Sequence, residues 1–211
     1  MHLDALLNAG APPIVAILRG LAPQEAEAVG GALVGAGIRI IEVPLNSPEP
    51  FQSISILAKA YGEACAIGAG TVLAPQAVDA VAAAGGRLVV APNADPAVIA
   101  RALERGLDVM PGVMTPSEAF LALSAGARRL KLFPAASLGV AHLKALGDVV
   151  PEDAGLWAVG GTNAGNLGEW LAAGAAGVGV GGALFRPGDA PSLVAERARA
   201  LVAAWKIAAG P

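Results

Sequence analysis

Short apolar runs alternate along the chain with longer stretches of helix-forming residues, and the alternation repeats eight times. Residues 13–18, Pro-Ile-Val-Ala-Ile-Leu, are apolar without interruption and close on Arg19-Gly20. A strand covered on both faces reads this way, as a continuous hydrophobic run and not as strict alternation. Residues 23–36 follow with helix formers and early acids, Glu25 and Glu27, and Gly37 supplies a stop. The same pair of elements recurs. Strands are predicted at 38–43, 64–69, 87–91, 107–110, 129–133, 156–159 and 177–180. Helices are predicted at 49–61, 75–84, 96–104, 116–124, 142–149, 167–173 and 191–208. The pairs Ala36-Gly37, Ala84-Gly85, Ala125-Gly126 and Ala173-Gly174 end four of these helices in one manner, as a glycine at a helix C-terminus does.

Eight strand–helix units predict an α/β protein of the (β/α)8 TIM barrel type. The units use the whole chain, 1–211, so a single barrel domain without a linker is expected. It is compact beside the ~250 residues typical of the class. An open doubly wound sheet shares the βα alternation and is the structural rival.

The barrel carries a rule: groups that do chemistry sit where strands end, on one face. Arg19 follows the first strand, Glu42 comes late in the second, Thr71 follows the third, Asn93 the fourth, and Lys131 lies inside the sixth. In residues 129–133, Leu130 and Leu132 take one face and Arg129 and Lys131 the other, and Pro134 ends the strand. Lysine inside an apolar strand is unusual. Burial disfavours its ammonium form, which leaves a nucleophilic amine able to form a Schiff base with a carbonyl. The bland readings are a lysine with its head in water and a buried Glu42–Lys131 salt bridge, a poor source of net stability. Arg19 as a solvated rim charge, and Thr71 and Asn93 as turn residues, are bland readings too. Two Gly-Gly turns, Gly160-Gly161 and Gly181-Gly182, end the last two strands. Phosphate sites of barrels lie there, and glycine lets backbone N–H groups approach the oxygens. A phosphorylated substrate is expected.

Composition narrows the classes. Hydrophobic residues make up 55% and charged residues 15%, enough for a large core. A net charge of −3 gives no basic field for nucleic acid. No apolar run reaches the ~18 residues of a membrane span, and the start lacks the pattern of a secretory signal. Cys65 is the only cysteine, so the cytoplasm is the expected compartment. His2 and His142 are the only histidines and stand in no ligand-like cluster, so neither metal nor cofactor is expected. A magnesium site on one or two carboxylates plus substrate stays open.

The motifs together resemble a known family. They are Val15-Ala16-Ile17-Leu18-Arg19-Gly20, Ile41-Glu42-Val43-Pro44-Leu45-Asn46-Ser47-Pro48, Gly68-Ala69-Gly70-Thr71-Val72, Ala91-Pro92-Asn93, Lys131-Leu132-Phe133-Pro134 and Ala158-Val159-Gly160-Gly161. The chain resembles the 2-dehydro-3-deoxy-6-phosphogluconate/-galactonate aldolases, class I pyruvate aldolases on a trimeric barrel, from about residue 13 to the last helix. The Pro-Leu-Asn-Ser-Pro loop and the Pro-Asn pair look like the galactonate branch; the gluconate branch typically shows Thr-Leu-Arg-Thr and Ser-Pro-Gly. The resemblance implies Lys131 as the Schiff-base lysine and Glu42 as the acid/base. It implies Arg19 and Thr71 at the pyruvate end, Phe133 against the substrate, Val159 in stereochemical control, and Gly160, Gly161, Gly181 and Gly182 around phosphate. It also implies a homotrimer. One departure stands out: the family often has Ser where this chain has Gly182. An isomerase or epimerase with Glu42 as base, a metal-dependent aldolase and a non-enzymatic phosphate-binding barrel are the competing classes.

Overall fold

The structure, a computed structural model, describes residues 1–210; Pro211 of the expected domain lies outside the described residues. Its strands are β1 (Ile14–Ile17), β2 (Ile40–Pro44), β3 (Ala66–Gly70), β4 (Leu88–Val90), β5 (Asp108–Met110), β6 (Gly112–Val113), β7 (Arg129–Leu132), β8 (Gly155–Val159) and β9 (Gly177–Val180). All pair in parallel, in the order β5-β4-β3-β2-β1-β9-β8-β7-β6. The two ends of that list are consecutive in sequence, with Pro111 alone between them. The sheet therefore closes on itself, and the rival open sheet is excluded. The fifth strand was expected in one piece and is found in two. Proline has no N–H for a ladder, so β5 pairs with β4 while β6 pairs with β7. The Pro111 carbonyl still accepts from Lys131 N at 2.8 Å and holds the seam.

The helices around the cylinder are α2 (Pro23–Gly35), α3 (Pro50–Tyr61), α4 (Pro75–Ala83), α5 (Pro96–Glu104), α6 (Pro116–Ser124), α7 (Ala135–Gly147), α8 (Leu167–Ala172) and α9 (Pro191–Ala209). Six of them begin with proline in the first turn, where its missing N–H costs nothing. The glycines of the four Ala-Gly pairs have φ between 84° and 101°. That is the left-handed conformation of a helix stop. Helix α7 starts at Ala135, well before the expected 142, and ends at Gly147. Gly139, with φ 78° and ψ 166°, interrupts it; the sequence shows that break and hides the turn that precedes it. None of the described helices is long and apolar enough to cross a membrane.

Strand side chains alternate between two cores. Ile14, Ala16, Ile41, Val43, Ile67, Val89, Leu130, Leu132, Val178 and Val180 face the helices. Val15, Ile17, Ile40, Ala66, Leu88, Val90, Met110, Trp157 and Val159 fill the barrel. Gly177 makes room there: a Cβ on it would lie 2.5 Å from the Trp157 ring.

A helix absent from the expected list, α1 (Leu3–Asn8), closes the bottom of the barrel. Leu3 and Leu6 join the interior cluster. Leu3 N donates to Asp108 Oδ2 at 2.9 Å, and Arg129 pairs with Asp4 and, at 3.8 Å, with Asp108. Six residues are too few for a periodic signal. Leu6→Ala is expected to cost about 2–4 kcal/mol of stability, measured by urea unfolding. A loss below ~1 kcal/mol would mean that the plug does not hold the barrel.

Candidate active site

Arg129 and Lys131 are two residues apart, so both point into the barrel, one at each end of β7. Arg129 serves the bottom. Lys131 reaches the mouth and is only 6% exposed. The reading of its head in open water is therefore wrong. Its Nζ lies 4.6 Å from the centre of the Phe133 ring, which is itself partly exposed. Burial lowers the Lys131 pKa; Glu42 opposes that shift and Arg19 adds to it.

Glu42 comes from β2, which is four strands from β7, with β8, β9 and β1 between them. In a barrel of eight strand positions that is the far wall. It is 2% exposed. Burial lifts its carboxyl from 4.5 to about 7, against the attraction of Lys131 and Arg19. Oε2 has no hydrogen-bond partner. No ion pair joins Glu42 to Lys131 among the described residues. The salt-bridge reading fails with it. What stands instead is a neutralisable acid and a neutralisable amine on opposite walls of one mouth.

Gly70 makes this possible. A Cβ there would sit 2.0 Å from Glu42 Oε2 and 2.4 Å from Cδ. In the sequence Gly70 shows only as a glycine at the end of a strand, a signal that carries no role by itself. Gly70→Ala is expected to displace the carboxyl and lower kcat on the order of 10²-fold, the scale of a ~1 Å misplacement. A variant with wild-type kcat would show that Glu42 tolerates the shift.

Arg19 is exposed at the rim. Its Nη1 donates to Asn46 Oδ1 at 2.6 Å, and Gly20 N donates to Ser47 Oγ at 2.9 Å. These bonds zip the loop after β1 to the loop after β2. Thr71 is half-buried with φ 57°. A β-branched residue in the left-handed region is strained, and such strain clusters at functional sites. Asn93 is exposed, and its carbonyl accepts from Gly112 N at the start of β6. Val159 is buried in the interior cluster beneath the mouth.

The two Gly-Gly turns are polarised alike. Gly160 and Gly161 have φ 100° and 80°. The Gly160 carbonyl accepts from Ala136 N, and the Gly161 carbonyl accepts from Asn166 Nδ2 at 3.0 Å and Asn163 Nδ2 at 3.3 Å. After β9, the Gly181 carbonyl accepts from Leu184 N and Phe185 N, and the Gly182 carbonyl from Arg186 Nε at 3.1 Å. Among the described residues, the N–H groups of Gly161, Gly182 and Ala183 donate to no protein acceptor. Carbonyls tied back and N–H groups left forward make a cradle for an anion. A Cβ on Gly182 would meet nothing within 4 Å, so the departure to glycine is not imposed by packing.

The family model for "Aldolase: KDPG and KHG aldolase" matches residues 7–195. The 2-dehydro-3-deoxy-6-phosphogalactonate aldolase of Escherichia coli (strain K12) is 47% identical over 194 residues, covering 92% of this chain and 95% of that one. A native KDPGal structure superposes with a TM-score of 0.92 at 47% identity, covering 93% of this chain and 96% of that one. A cube-shaped, porous protein cage designed by fusing symmetric oligomeric domains matches at a TM-score of 0.93 and 47% identity, over 94% of this chain and 73% of the cage chain. With a model spanning most of its length and a relative this similar end to end, the chain belongs to the KDPG and KHG aldolase family.

Proposed function

We propose that this enzyme is a class I aldolase that cleaves 2-dehydro-3-deoxy-6-phosphogalactonate to pyruvate and glyceraldehyde 3-phosphate. The observation that carries the chemistry is the buried, unpaired Lys131 amine facing Glu42 across the barrel mouth. Lys131 Nζ attacks the C2 carbonyl to give a carbinolamine. Loss of water leaves a protonated imine, which is an electron sink. A base takes the C4 hydroxyl proton, the C3–C4 bond breaks, and its electron pair enters the imine as an enamine. The aldehyde leaves. Protonation of the enamine at C3 and addition of water release pyruvate and restore the amine. Glu42, with a pKa of about 7, suits both the proton removal and the proton return.

The remaining roles belong to the same proposal. The Arg19 guanidinium, held by Asn46, meets the pyruvate-derived carboxylate, and Thr71 a neighbouring oxygen. Phe133 is assigned to packing on the substrate chain, and Val159, buried beneath the mouth, to sensing the C4 configuration. Gly160, Gly161, Gly181 and Gly182 line the phosphate cradle. The galactonate epimer is favoured by the Escherichia coli relative and by the Pro44-Leu45-Asn46-Ser47-Pro48 loop. Initial rates with the two C4 epimers test the assignment. A higher kcat/KM for the gluconate epimer would reassign the substrate and leave the imine chemistry intact.

A homotrimer and a cytoplasmic home complete the proposal. An oligomer is supported by the cage neighbour, built from symmetric oligomeric domains, and by Phe120 and Leu121, which α6 leaves exposed while burying Ala119 and Ala122; the number three rests on the family resemblance. Sedimentation at a monomer mass would remove it. The compartment is supported by the free thiol of Cys65.

A further inference from the structure

Thr162 is one of the few polar side chains buried in this protein, at 3% exposure. The parallel ladder between β8 and β9 ends at the Val159–Gly179 pair. The chain then turns away through Gly160 and Gly161, both at positive φ. Three residues past the last pair, the Thr162 hydroxyl donates to the Gly179 carbonyl at 2.6 Å. A buried hydroxyl is kept only where it is hydrogen-bonded, and this bond joins the outgoing arm of one Gly-Gly turn to the strand that leads into the other. Asn166 acts from the rim. Its Nδ2 holds the Gly161 carbonyl back, and its Oδ1 accepts from Asn163 N at 2.8 Å.

We infer that Thr162, with Asn166, is a positioning residue that locks the two Gly-Gly turns into a single anion cradle, and so sets affinity for the phosphorylated end of the substrate. The inference rests on the phosphate reading given above. Neither residue points a free donor at the anion. Asn166 holds the Gly161 carbonyl and with it the Gly161–Thr162 peptide, and Thr162 pins the end of that peptide to Gly179, so the Gly160-Gly161 turn, with its free Gly161 N–H, is anchored to the strand that leads to the Gly182 and Ala183 N–H groups. The Cβ test on Gly161 shows how tight the arrangement is, since an added carbon would lie 2.4 Å from Ala136 Cβ. A turn held by the covalent chain alone could rotate its peptides, and the N–H groups would diverge. Lys131 and Glu42 stand on β7 and β2, outside the stitch, so the pyruvate half of the reaction is not governed by it.

Thr162→Val keeps the shape and removes the donor; Thr162→Ser keeps the donor. Thr162→Val is expected to raise KM for the phosphorylated aldol substrate roughly 10-fold, the cost of one misplaced hydrogen bond to a charged group. Exchange of pyruvate methyl protons, which needs no phosphate, is expected to stay at the wild-type rate. Thr162→Ser is expected to restore KM. Asn166→Ala, half-buried at the rim and outside the hydrophobic core, repeats the KM effect if the valine variant fails to fold. An unchanged KM in both variants would overturn the inference, and so would a fall in pyruvate exchange matching the rise in KM, because that is the signature of general loosening. If wild-type exchange proceeds but inorganic phosphate does not compete with the phosphorylated substrate, the cradle reading itself falls, and the role of Thr162 with it.

Discussion

Lys131→Met is expected to lower kcat/KM for aldol cleavage by at least about 10⁴-fold, the scale on which enzymes lose rate when their nucleophile is removed. Methionine fills nearly the same volume and is compatible with the apolar surroundings that already lower the Lys131 pKa. The fold is therefore expected to survive. Stability gives an independent check. Removing a buried amine removes its desolvation cost, so the variant is expected to unfold at no lower urea concentration than the wild type. Loss of activity with retained stability separates a chemical role from a structural one. The isomerase alternative predicts another pattern: a lysine acting only by its charge would be replaced in part by arginine. Lys131→Arg is expected to be as inactive as Lys131→Met, because a guanidinium forms no imine.

Glu42→Gln is expected to lower kcat for cleavage by about 10²–10⁴-fold, the usual contribution of a positioned acid/base. Pyruvate is still expected to form the imine, because the amine remains, while exchange of its methyl protons slows in step with kcat. The pH dependence follows from the same carboxyl. Its pKa is raised from 4.5 to about 7 by burial. In cleavage the carboxylate form accepts the C4 proton, so wild-type kcat is expected to fall as pH drops below 7 and that limb to vanish in the residual activity of Glu42→Gln. Stability moves the opposite way. The folded state holds a proton on Glu42 that the unfolded chain gives up near 4.5. Stability is thus lost as pH rises from 4.5 through 7, and the deficit persists above it. Relative to wild type, Glu42→Gln is expected to gain on the order of 3 kcal/mol between pH ~4 and pH ~8, the worth of that shift at 1.36 kcal/mol per pH unit. A stability difference flat with pH would show that Glu42 does not titrate abnormally.

The barrel was legible because its grammar is local. Buried parallel strands show as unbroken apolar runs, helices begin at proline, and they stop at Ala-Gly. Each signal needs only a handful of neighbouring residues. Lys131 and Glu42 stood out for a related reason, as charged residues flanked directly by apolar ones, Leu130 and Leu132 in one strand and Ile41 and Val43 in the other. What escaped detection depends on distant partners. Helix α1 is too short for periodicity and is held by Leu3 and Leu6 in the barrel floor and by Asp108 from β5. The start of α7 was hidden by the Gly139 break. Pro111 splits a strand whose two pieces matter only because they pair with opposite ends of the sheet. Gly70 reads as a strand-end glycine until the Glu42 carboxyl is found over it, and Thr162 as a turn residue until its hydroxyl is found on β9. Arg129 and Lys131 shared a predicted face, yet nothing in the spacing told which end of the barrel each would serve.

The imine at Lys131 is the central claim, and borohydride trapping with pyruvate tests it most directly. The protein is incubated with pyruvate, reduced, and measured by intact mass and peptide mapping. One reduced pyruvate adduct per chain, on the peptide carrying Lys131 and absent in Lys131→Met, is the predicted result. No adduct, or an adduct confined to Lys59, Lys144 or Lys206, would contradict the account.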